Sequence, residues 1–169
     1  MTIANSPALD SSPAPTPETG RFQLALNVDN LYAAVAFYSK LFGTAPAKLR
    51  PGYANFAIAH PPLKLVLLEN PGTGGTINHL GIEVTSSETV HTEIARLSGE
   101  GLFTDEQMGA TCCFATQDKV WVTGPSGERW EVYTVLADSA TFGTSPTPPI
   151  ETTDERRRDV VPQSCCPPS

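Results

Sequence analysis

Gln23 and His79 are two polar residues whose types and spacing could support metal chemistry. Residues 23–28 (QLALNV) align with residues 79–84 (HLGIEV) at an offset of 56 positions, so the two side chains open the same repeated segment. An amide oxygen and an imidazole nitrogen can both coordinate a divalent metal ion. A single glutamine on a strand ordinarily makes only solvent or core hydrogen bonds, so it is the matching position in a repeat that favours a metal site.

The 4 cysteines form two adjacent pairs, Cys112-Cys113 and Cys165-Cys166. Neighbouring cysteines rarely satisfy the Cα separation of a disulfide, and in a reducing compartment they are thiols. Two thiolates side by side favour a soft, thiophilic centre over Mg²⁺ or Ca²⁺. The alternative for the first pair is a small buried apolar residue beside an incidental thiol. The second pair is a candidate accessory thiol pair, the alternative being an inert tail.

Successive side chains of a strand point to opposite faces. The sulfurs of Cys112 and Cys113 therefore reach one atom only if the backbone loops out. Gly109 and Ala110 are the place where the sequence predicts that irregularity.

The composition is that of one ordinary globular domain, with 169 residues, 40% hydrophobic and 17% charged. No apolar run approaches the roughly 20 residues that span a bilayer, and the N-terminus lacks the features of a signal peptide. The net charge of −7 argues against a nucleic-acid surface. We therefore expect a cytoplasmic protein with a small-molecule partner and with neither a nucleic-acid nor a membrane partner.

Three regions differ in composition. Residues 1–20 and 138–169 are rich in Pro, Ser and Thr, so both are predicted to be disordered tails, the second carrying Cys165-Cys166. Residues 21–137 are predicted to form the domain, with modules at about 21–70 and 77–137.

Each module reads β-α-β-β-β, which predicts an α+β fold. The first helix should begin after Asp29 or Asn30 and end at Gly43. The second should begin near Thr85–Ser87, where Thr85 and Glu88 resemble a capping box with Thr85 as the N-cap, and it should end at Gly99 and Gly101. The predicted strands outside the repeat are about 45–50, 53–59, 63–69, 103–115, 119–123 and 129–135. Neither module can close its own core, so the two should pack together.

Two βαβββ modules with a polar residue on each first strand resemble the vicinal oxygen chelate superfamily, which includes glyoxalases, bleomycin-resistance proteins and extradiol dioxygenases. Residues 124–131 (GPSGERWE) look like its closing hairpin. The resemblance implies an open half-barrel around a metal cavity, with Gln23, His79 and Glu131 as ligands. Glu131 lies between Trp130 and Val132, so it points to the face opposite theirs.

The resemblance also has two departures. Gln23 stands where iron dioxygenases of this fold usually carry a second histidine. A glyoxalase would add a fourth ligand on the last strand of the first half, but residues 65–68 (LVLL) are all apolar. Three ligands leave coordination positions open for substrate or oxygen, as in the facial triads of non-haem iron enzymes.

The metal set together with a vicinal cysteine pair is similar to the carbon–arsenic bond lyases, which are iron(II)-dependent dioxygenases. This implies Fe²⁺ as cofactor and O₂ as co-substrate, although Ni²⁺, Co²⁺, Zn²⁺ or Cd²⁺ can occupy such a site. Gln23, His79 and Glu131 would be the catalytic metal ligands, and Cys112 and Cys113 would bind the arsenic of methylarsonous acid or a trivalent aromatic arsenical. Arsenite would be the product.

Two other functions stay open. One is a binding protein that sequesters cadmium, arsenite or a drug, and the other is a glyoxalase-like isomerase. The sequence also leaves open whether the modules swap between chains in a homodimer.

Several further polar residues receive weaker assignments. Lys119 is interpreted as a surface charge or loop anchor, and Tyr133 and Trp121 as core residues that could line the cavity. His60 is interpreted as structural or solvated, and His91 as exposed. Glu83 has no clear task.

Overall fold

The structure is a computed structural model that describes residues 20–143. Within that range the chain forms two helices and eight strands. In chain order these are β1 (Arg21–Val28), α1 (Leu31–Phe42), β2 (Lys48–Arg50), β3 (Tyr53–Ile58), β4 (Leu63–Glu69), β5 (Ile77–Glu83), α2 (Ser87–Gly99), β6 (Asp105–Cys112), β7 (Ala115–Thr123) and β8 (Arg129–Asp138).

All eight strands form one curled half-barrel sheet, in the order β2-β3-β4-β1-β5-β8-β7-β6. The first strands of the two modules, β1 and β5, pair antiparallel at its centre, and each is flanked by the last strand of its own module in parallel. The predicted βαβββ repeat is therefore confirmed, and both modules of one chain build the same sheet.

The helix ends follow the expected local chemistry. The Asn30 side chain caps α1 by accepting from the backbone N–H of Ala33, and Gly43 ends the helix in the left-handed conformation. The prediction for α2 is wrong in one detail: Ser86, rather than Thr85, is the N-cap and accepts from the backbone N–H of Thr89.

The boundaries of the last three strands differ from prediction. The strand expected over 103–115 ends at Cys112, and the chain turns back at residues 113–114 into β7. The last strand continues to Asp138, and Phe142 then packs against the core. Residues 138–143 are thus part of the folded unit, and the prediction of a tail from residue 138 is wrong for them. The remaining tail residues, with Cys165 and Cys166, lie outside the described residues.

The two faces of the sheet have different roles. Leu24, Leu26 and Val28 lie on the convex face, where they pack with α1 around Phe56 and Leu67. The alternate residues of β1 point into the concave face, and they are the more deeply buried set: the polar Gln23 is only 3% exposed. The alternation of apolar and polar residues in β1 would by itself place the polar side chains in solvent. The curvature of the sheet buries them instead.

In the described part of the chain, no helix is both long and apolar enough to cross a bilayer.

Candidate active site

Gln23, His79 and Glu131 meet on the concave face, each from a different central strand. The Gln23 Nε2 atom lies 3.1 Å from His79 Nε2 and 2.6 Å from Glu131 Oε1. His79 Nε2 and Glu131 Oε1 are 3.3 Å apart. All three side chains are buried. The structure therefore brings together the three residues that the repeat and the family pattern predicted as metal ligands, hereafter the ligand set.

The separation of His79 Nε2 and Glu131 Oε1 fits two ligands of one metal ion. Two donors bound at about 2.1 Å on adjacent coordination positions lie about 3 Å apart, close to the 3.3 Å between these two atoms. Among residues 20–143 no three His, Cys, Asp or Glu side chains are grouped for a metal ion. A metal held here would depend on the Gln23 amide as its third ligand.

Lys119 fixes the charge of Glu131. Its ammonium lies 3.1 Å from Glu131 Oε2, and both side chains are buried. Burial by itself would raise the pKa of the Glu131 carboxyl, but the Lys119 ammonium beside it acts in the opposite direction, and that pKa lies well below its usual range. The interpretation of Lys119 as a surface charge or loop anchor is wrong, because β7 continues through it and directs its side chain into the concave face.

A β-bulge orients His79. Ala25 pairs with His79 and Leu26 with Ile77, so Asn78 is an extra residue in β5. Its side chain consequently lies beside the imidazole, with Asn78 Oδ1 2.7 Å from His79 Nδ1. Asn78 Nδ2 in turn donates to Asn27 Oδ1 at 2.9 Å. Because this fixes Asn78 Oδ1 as an acceptor, Nδ1 of the imidazole carries the proton and Nε2 presents its lone pair to the ligand set.

Tyr133 orients Gln23. Its hydroxyl donates to Gln23 Oε1 at 2.6 Å, and it lies 3.2 Å from Glu83 Oε2. Lys64 Nζ donates to the same hydroxyl oxygen at 3.0 Å. Arg21 pairs with Glu83 at 2.6 Å. Glu83, to which the sequence assigned no task, is therefore the buried anion of this network, and Tyr133 contacts the ligand set as well as the core.

Burial dominates the ionisation of this network. It lowers the pKa of the Lys64 ammonium, while Glu83 and Glu131 act in the opposite direction. Burial together with the same two carboxylates raises the pKa of the Tyr133 phenol well above its ordinary value. Tyr133 therefore keeps its proton and remains a hydrogen-bond donor at neutral pH.

The first module supplies no counterpart to Glu131. Glu131 pairs with Gly81, whose equivalent in the first module is Ala25, and Ala25 pairs with Val66. Val66 is 3% exposed and lies on the concave face. The prediction that a fourth ligand is missing is thus consistent with the strand register.

Cys112 and Cys113 lie at the tight turn between β6 and β7. Cys112 pairs with Ala115, which leaves Cys113 and Phe114 as a two-residue turn with φ of 56° and 61°. Such turns are normally built from Asn and Gly because both positions require positive φ. The turn brings the two sulfur atoms to 3.2 Å. The backbone does depart from a regular strand as predicted, but the turn does this at Cys113, whereas the irregularity near Gly109 is a separate bulge.

The turn is held by contacts from both modules. The Phe114 carbonyl accepts from Lys48 Nζ at 3.0 Å and from the backbone N–H of Ser139 at 2.9 Å. The Phe114 ring packs against Tyr53 and Phe142. These contacts stabilise a backbone conformation that costs roughly 1–3 kcal/mol for residues other than glycine.

The thiol pair and the ligand set share the concave face. Cys112 belongs to a buried cluster that includes Val66 and Trp121, and Cys113 packs against that cluster. The Trp121 ring also contacts His79 edge-to-face, with a centroid separation of 5.3 Å. Trp121 therefore contacts the ligand set as well as the buried cluster that includes Cys112. It is a core residue, and it also lies beside the residues predicted to bind the metal.

Two histidines lie away from the site. His60 is in the turn before β4 and His91 is on α2, and both are exposed. This agrees with the solvated alternative for His60 and with the interpretation of His91.

Comparison with known proteins places the chain in a family. Residues 20–132 match the model described as Glyoxalase/Bleomycin resistance protein/Dioxygenase superfamily. The chain is 76% identical over 126 residues to the "Cadmium-induced protein CadI" of Mycobacterium tuberculosis (strain ATCC 25618 / H37Rv), covering 75% of this chain and 83% of the relative. It is 60% identical over 123 residues to the "Trivalent organoarsenical cleaving enzyme" of Thermomonospora curvata, covering 72% and 82%.

A solved structure supports the same fold. An extradiol ring-cleaving dioxygenase from B. fuscum superposes with a TM-score of 0.53 at 20% identity, covering 78% of this chain and 37% of that one. With the predicted repeat, the half-barrel sheet and the matching family model in agreement, the chain belongs to the glyoxalase/bleomycin resistance protein/dioxygenase superfamily, the vicinal oxygen chelate group.

Proposed function

We propose that this protein is a non-haem Fe(II)-dependent dioxygenase that cleaves the carbon–arsenic bond of trivalent organoarsenicals, yields arsenite and thereby confers organoarsenical resistance. The observation that carries the proposal is the shared concave face: Trp121 contacts His79 and belongs to the same buried cluster as Cys112. The 60% identity to a relative named for cleaving trivalent organoarsenicals supports the same activity.

The thiol pair is suited to binding arsenic(III). A substrate with two As–OH groups would exchange both for As–S bonds, each cysteine losing its proton and two water molecules leaving. Bonds of about 2.3 Å, as for other thiolate-bound centres, meet at nearly a right angle when the sulfur atoms are 3.2 Å apart. Both sulfurs can therefore bind one atom without rearrangement of the turn.

The ligand set would hold Fe²⁺, whose chemistry when bound is the activation of O₂. Lys119 holds Glu131 Oε2, which leaves Oε1 directed at His79 and Gln23. The carbon of a thiol-bound substrate would lie on the concave face between the two groups, so binding would supply proximity to the reaction. Trp121 and Val66 would form apolar walls that exclude water from it.

One observation favours a second candidate, sequestration of a soft metal. The 76% identical relative is named for induction by cadmium, and adjacent thiols bind Cd²⁺ as well as arsenic. Such a protein would bind its ligand stoichiometrically and form no product. A glyoxalase-like isomerase is less well supported, because Val66 occupies the register position of a fourth ligand.

Oxygen consumption tests the proposal. Protein loaded with Fe²⁺ should consume O₂ on addition of methylarsonous acid and release arsenite in proportion. Cys112→Ser should abolish this turnover while metal affinity stays unchanged. Turnover under strict anaerobiosis would contradict the dioxygenase, and stoichiometric binding without arsenite release would favour sequestration.

The tail cysteines offer a matched control. Cys165→Ser/Cys166→Ser removes the other adjacent pair of thiols, and we expect it to keep its turnover. If this variant were inactive while Cys112→Ser remained active, the assignment of the arsenic site to Cys112 and Cys113 would be wrong.

A further inference from the structure

The amide of Gln23 has a defined orientation. Its Nε2 group donates to Glu131 Oε1 at 2.6 Å and faces His79 Nε2 at 3.1 Å. Its Oε1 atom accepts from the Tyr133 hydroxyl at 2.6 Å. Both amide hydrogens and the carbonyl oxygen thus have partners, and the nitrogen side points to the centre of the ligand set.

This orientation is the reverse of the one that a metal requires. Only the oxygen of a neutral carboxamide offers lone pairs to a cation, because its nitrogen is a donor of hydrogen bonds. Gln23 must therefore turn its amide over to bind a metal. Its Nε2 group would then face Tyr133, which must accept a hydrogen bond where it previously donated one.

The surroundings of Tyr133 allow that exchange. A phenol can both donate and accept, and Glu83 Oε2 is a second acceptor 3.2 Å from the hydroxyl. The Glu83 carboxylate is already held by Arg21 at 2.6 Å. We propose that Tyr133 is a positioning residue for the metal site, and that its hydroxyl transfers its hydrogen bond from Gln23 to Glu83 when Gln23 turns its oxygen toward the metal.

Lys64 cannot replace Tyr133 in the metal-bound orientation. Its ammonium lies 3.0 Å from the Tyr133 oxygen and could reach toward Gln23 Oε1 if the phenol were absent. An ammonium has no lone pair, so it cannot accept from Gln23 Nε2. Removing the hydroxyl should therefore penalise the metal-binding orientation more than the metal-free one.

Titration with Zn²⁺ tests this inference, which rests on the metal site of the proposed function but not on its dioxygenase activity. The four cysteines are replaced by serine in every protein titrated, so that Zn²⁺ cannot bind the thiols. A buried amide N–H without an acceptor should cost Tyr133→Phe roughly five- to 150-fold in Zn²⁺ affinity, measured by calorimetry. Tyr53→Phe is the matched control, because Tyr53 is also a buried tyrosine of the concave face, and it should bind Zn²⁺ as the unaltered protein does. Equal affinities of Tyr133→Phe and the unaltered protein would overturn the inference.

Nuclear magnetic resonance of the unaltered protein tests the same point without relying on a variant that has to fold. The side-chain amide signals of Gln23, assigned by their absence in Gln23→Glu, should shift on saturation with Zn²⁺ as their acceptors change from Glu131 and His79 to Tyr133. Unchanged signals at saturation would overturn the inference and leave the metal site standing. No Zn²⁺ binding by the unaltered protein would remove the metal site itself, and the inference with it.

Discussion

The two modules share one topology but contribute unequally to the site. In the second module, β5 and β8 supply His79 and Glu131, and the turn after β6 supplies the thiol pair. The first module supplies only Gln23 to the ligand set, and Val66 occupies the position equivalent to Glu131. A repeated scaffold thus fixes where ligands can lie, while single residues decide which of those positions are used.

The backbone shows the same asymmetry. The bulge that places Asn78 beside His79 is in β5, and the equivalent residue of β1 is Phe22, which is 42% exposed and packs against Trp130 on the convex face. The second module therefore has a β-bulge that orients His79, and among the described residues the first module has no equivalent bulge beside Gln23. Gln23 is instead oriented from the neighbouring module, through Tyr133.

A substitution that makes the second module resemble the first should have the largest effect on stability and on metal binding. Glu131→Val removes one of the three proposed metal ligands and takes the Glu131 carboxylate away from the buried Lys119. Breaking a buried ion pair from one side costs about 3–5 kcal/mol. We expect that loss in the free energy of unfolding of the metal-free protein, measured with urea, together with loss of Zn²⁺ binding.

The double variant Lys119→Met/Glu131→Val provides the control. It removes both charges, so it should recover most of the stability without recovering metal binding. A double variant no more stable than Glu131→Val would show that the pair is not what stabilises this part of the concave face.

A substitution that makes the first module resemble the second should have a smaller effect on stability. Val66→Glu places a carboxyl in an apolar wall, and the metal-free protein should lose about 1–3 kcal/mol of stability. Zn²⁺ should restore that loss, because the new carboxylate would lie where a fourth ligand belongs. Thermal unfolding with and without Zn²⁺ measures both effects, and Val66→Leu should show no recovery with metal.

Removing the support of His79 tests the role of the bulge. Asn78→Leu takes away the acceptor of the imidazole Nδ1–H, and loss of such a partner typically costs 10–100-fold in metal affinity. Asn78→Asp keeps an acceptor and should lose less in a Zn²⁺ titration. Equal losses in the two variants would mean that the bulge, rather than the Asn78 side chain, orients the ring.

The smallest predicted effect concerns pH. The pKa of Glu131 is lowered in the folded protein below its ordinary value of 4.5, so its contribution to stability is present above that pH and is lost as the pH falls below it. Lys119→Met removes the main charge that lowers this pKa, and burial should then raise it. The variant should therefore gain relative stability on acidification.

Urea unfolding of the metal-free proteins between pH 7 and pH 3 measures this difference. One group can separate the two curves by at most about 1.4 kcal/mol for each pH unit. Parallel curves would contradict the assignment of Lys119 as the controlling charge.

Much of the site could be predicted because it depends on sequence patterns within single strands and on the repeat. Alternation and the 56-residue offset place Gln23 and His79 at equivalent points, and the same alternation places Glu131 opposite Trp130 and Val132. The sequence gives no comparable signal for the turn at Cys113, because Cys-Phe lacks the Asn-Gly chemistry of such turns. Lys119 was missed because its partner depends on the register between β7 and β8.

By itself, the sequence determined the two βαβββ modules and the presence of a vicinal thiol pair, and its family resemblance predicted the ligand set. Only the tertiary structure decided that the polar row of β1 is buried, that Lys119 and Tyr133 hold the ligands, and that the Cys112 and Cys113 sulfurs lie side by side. The physical reason is that periodicity assigns a side chain to a face of a strand. Curvature, strand register and turn geometry decide what that face encloses.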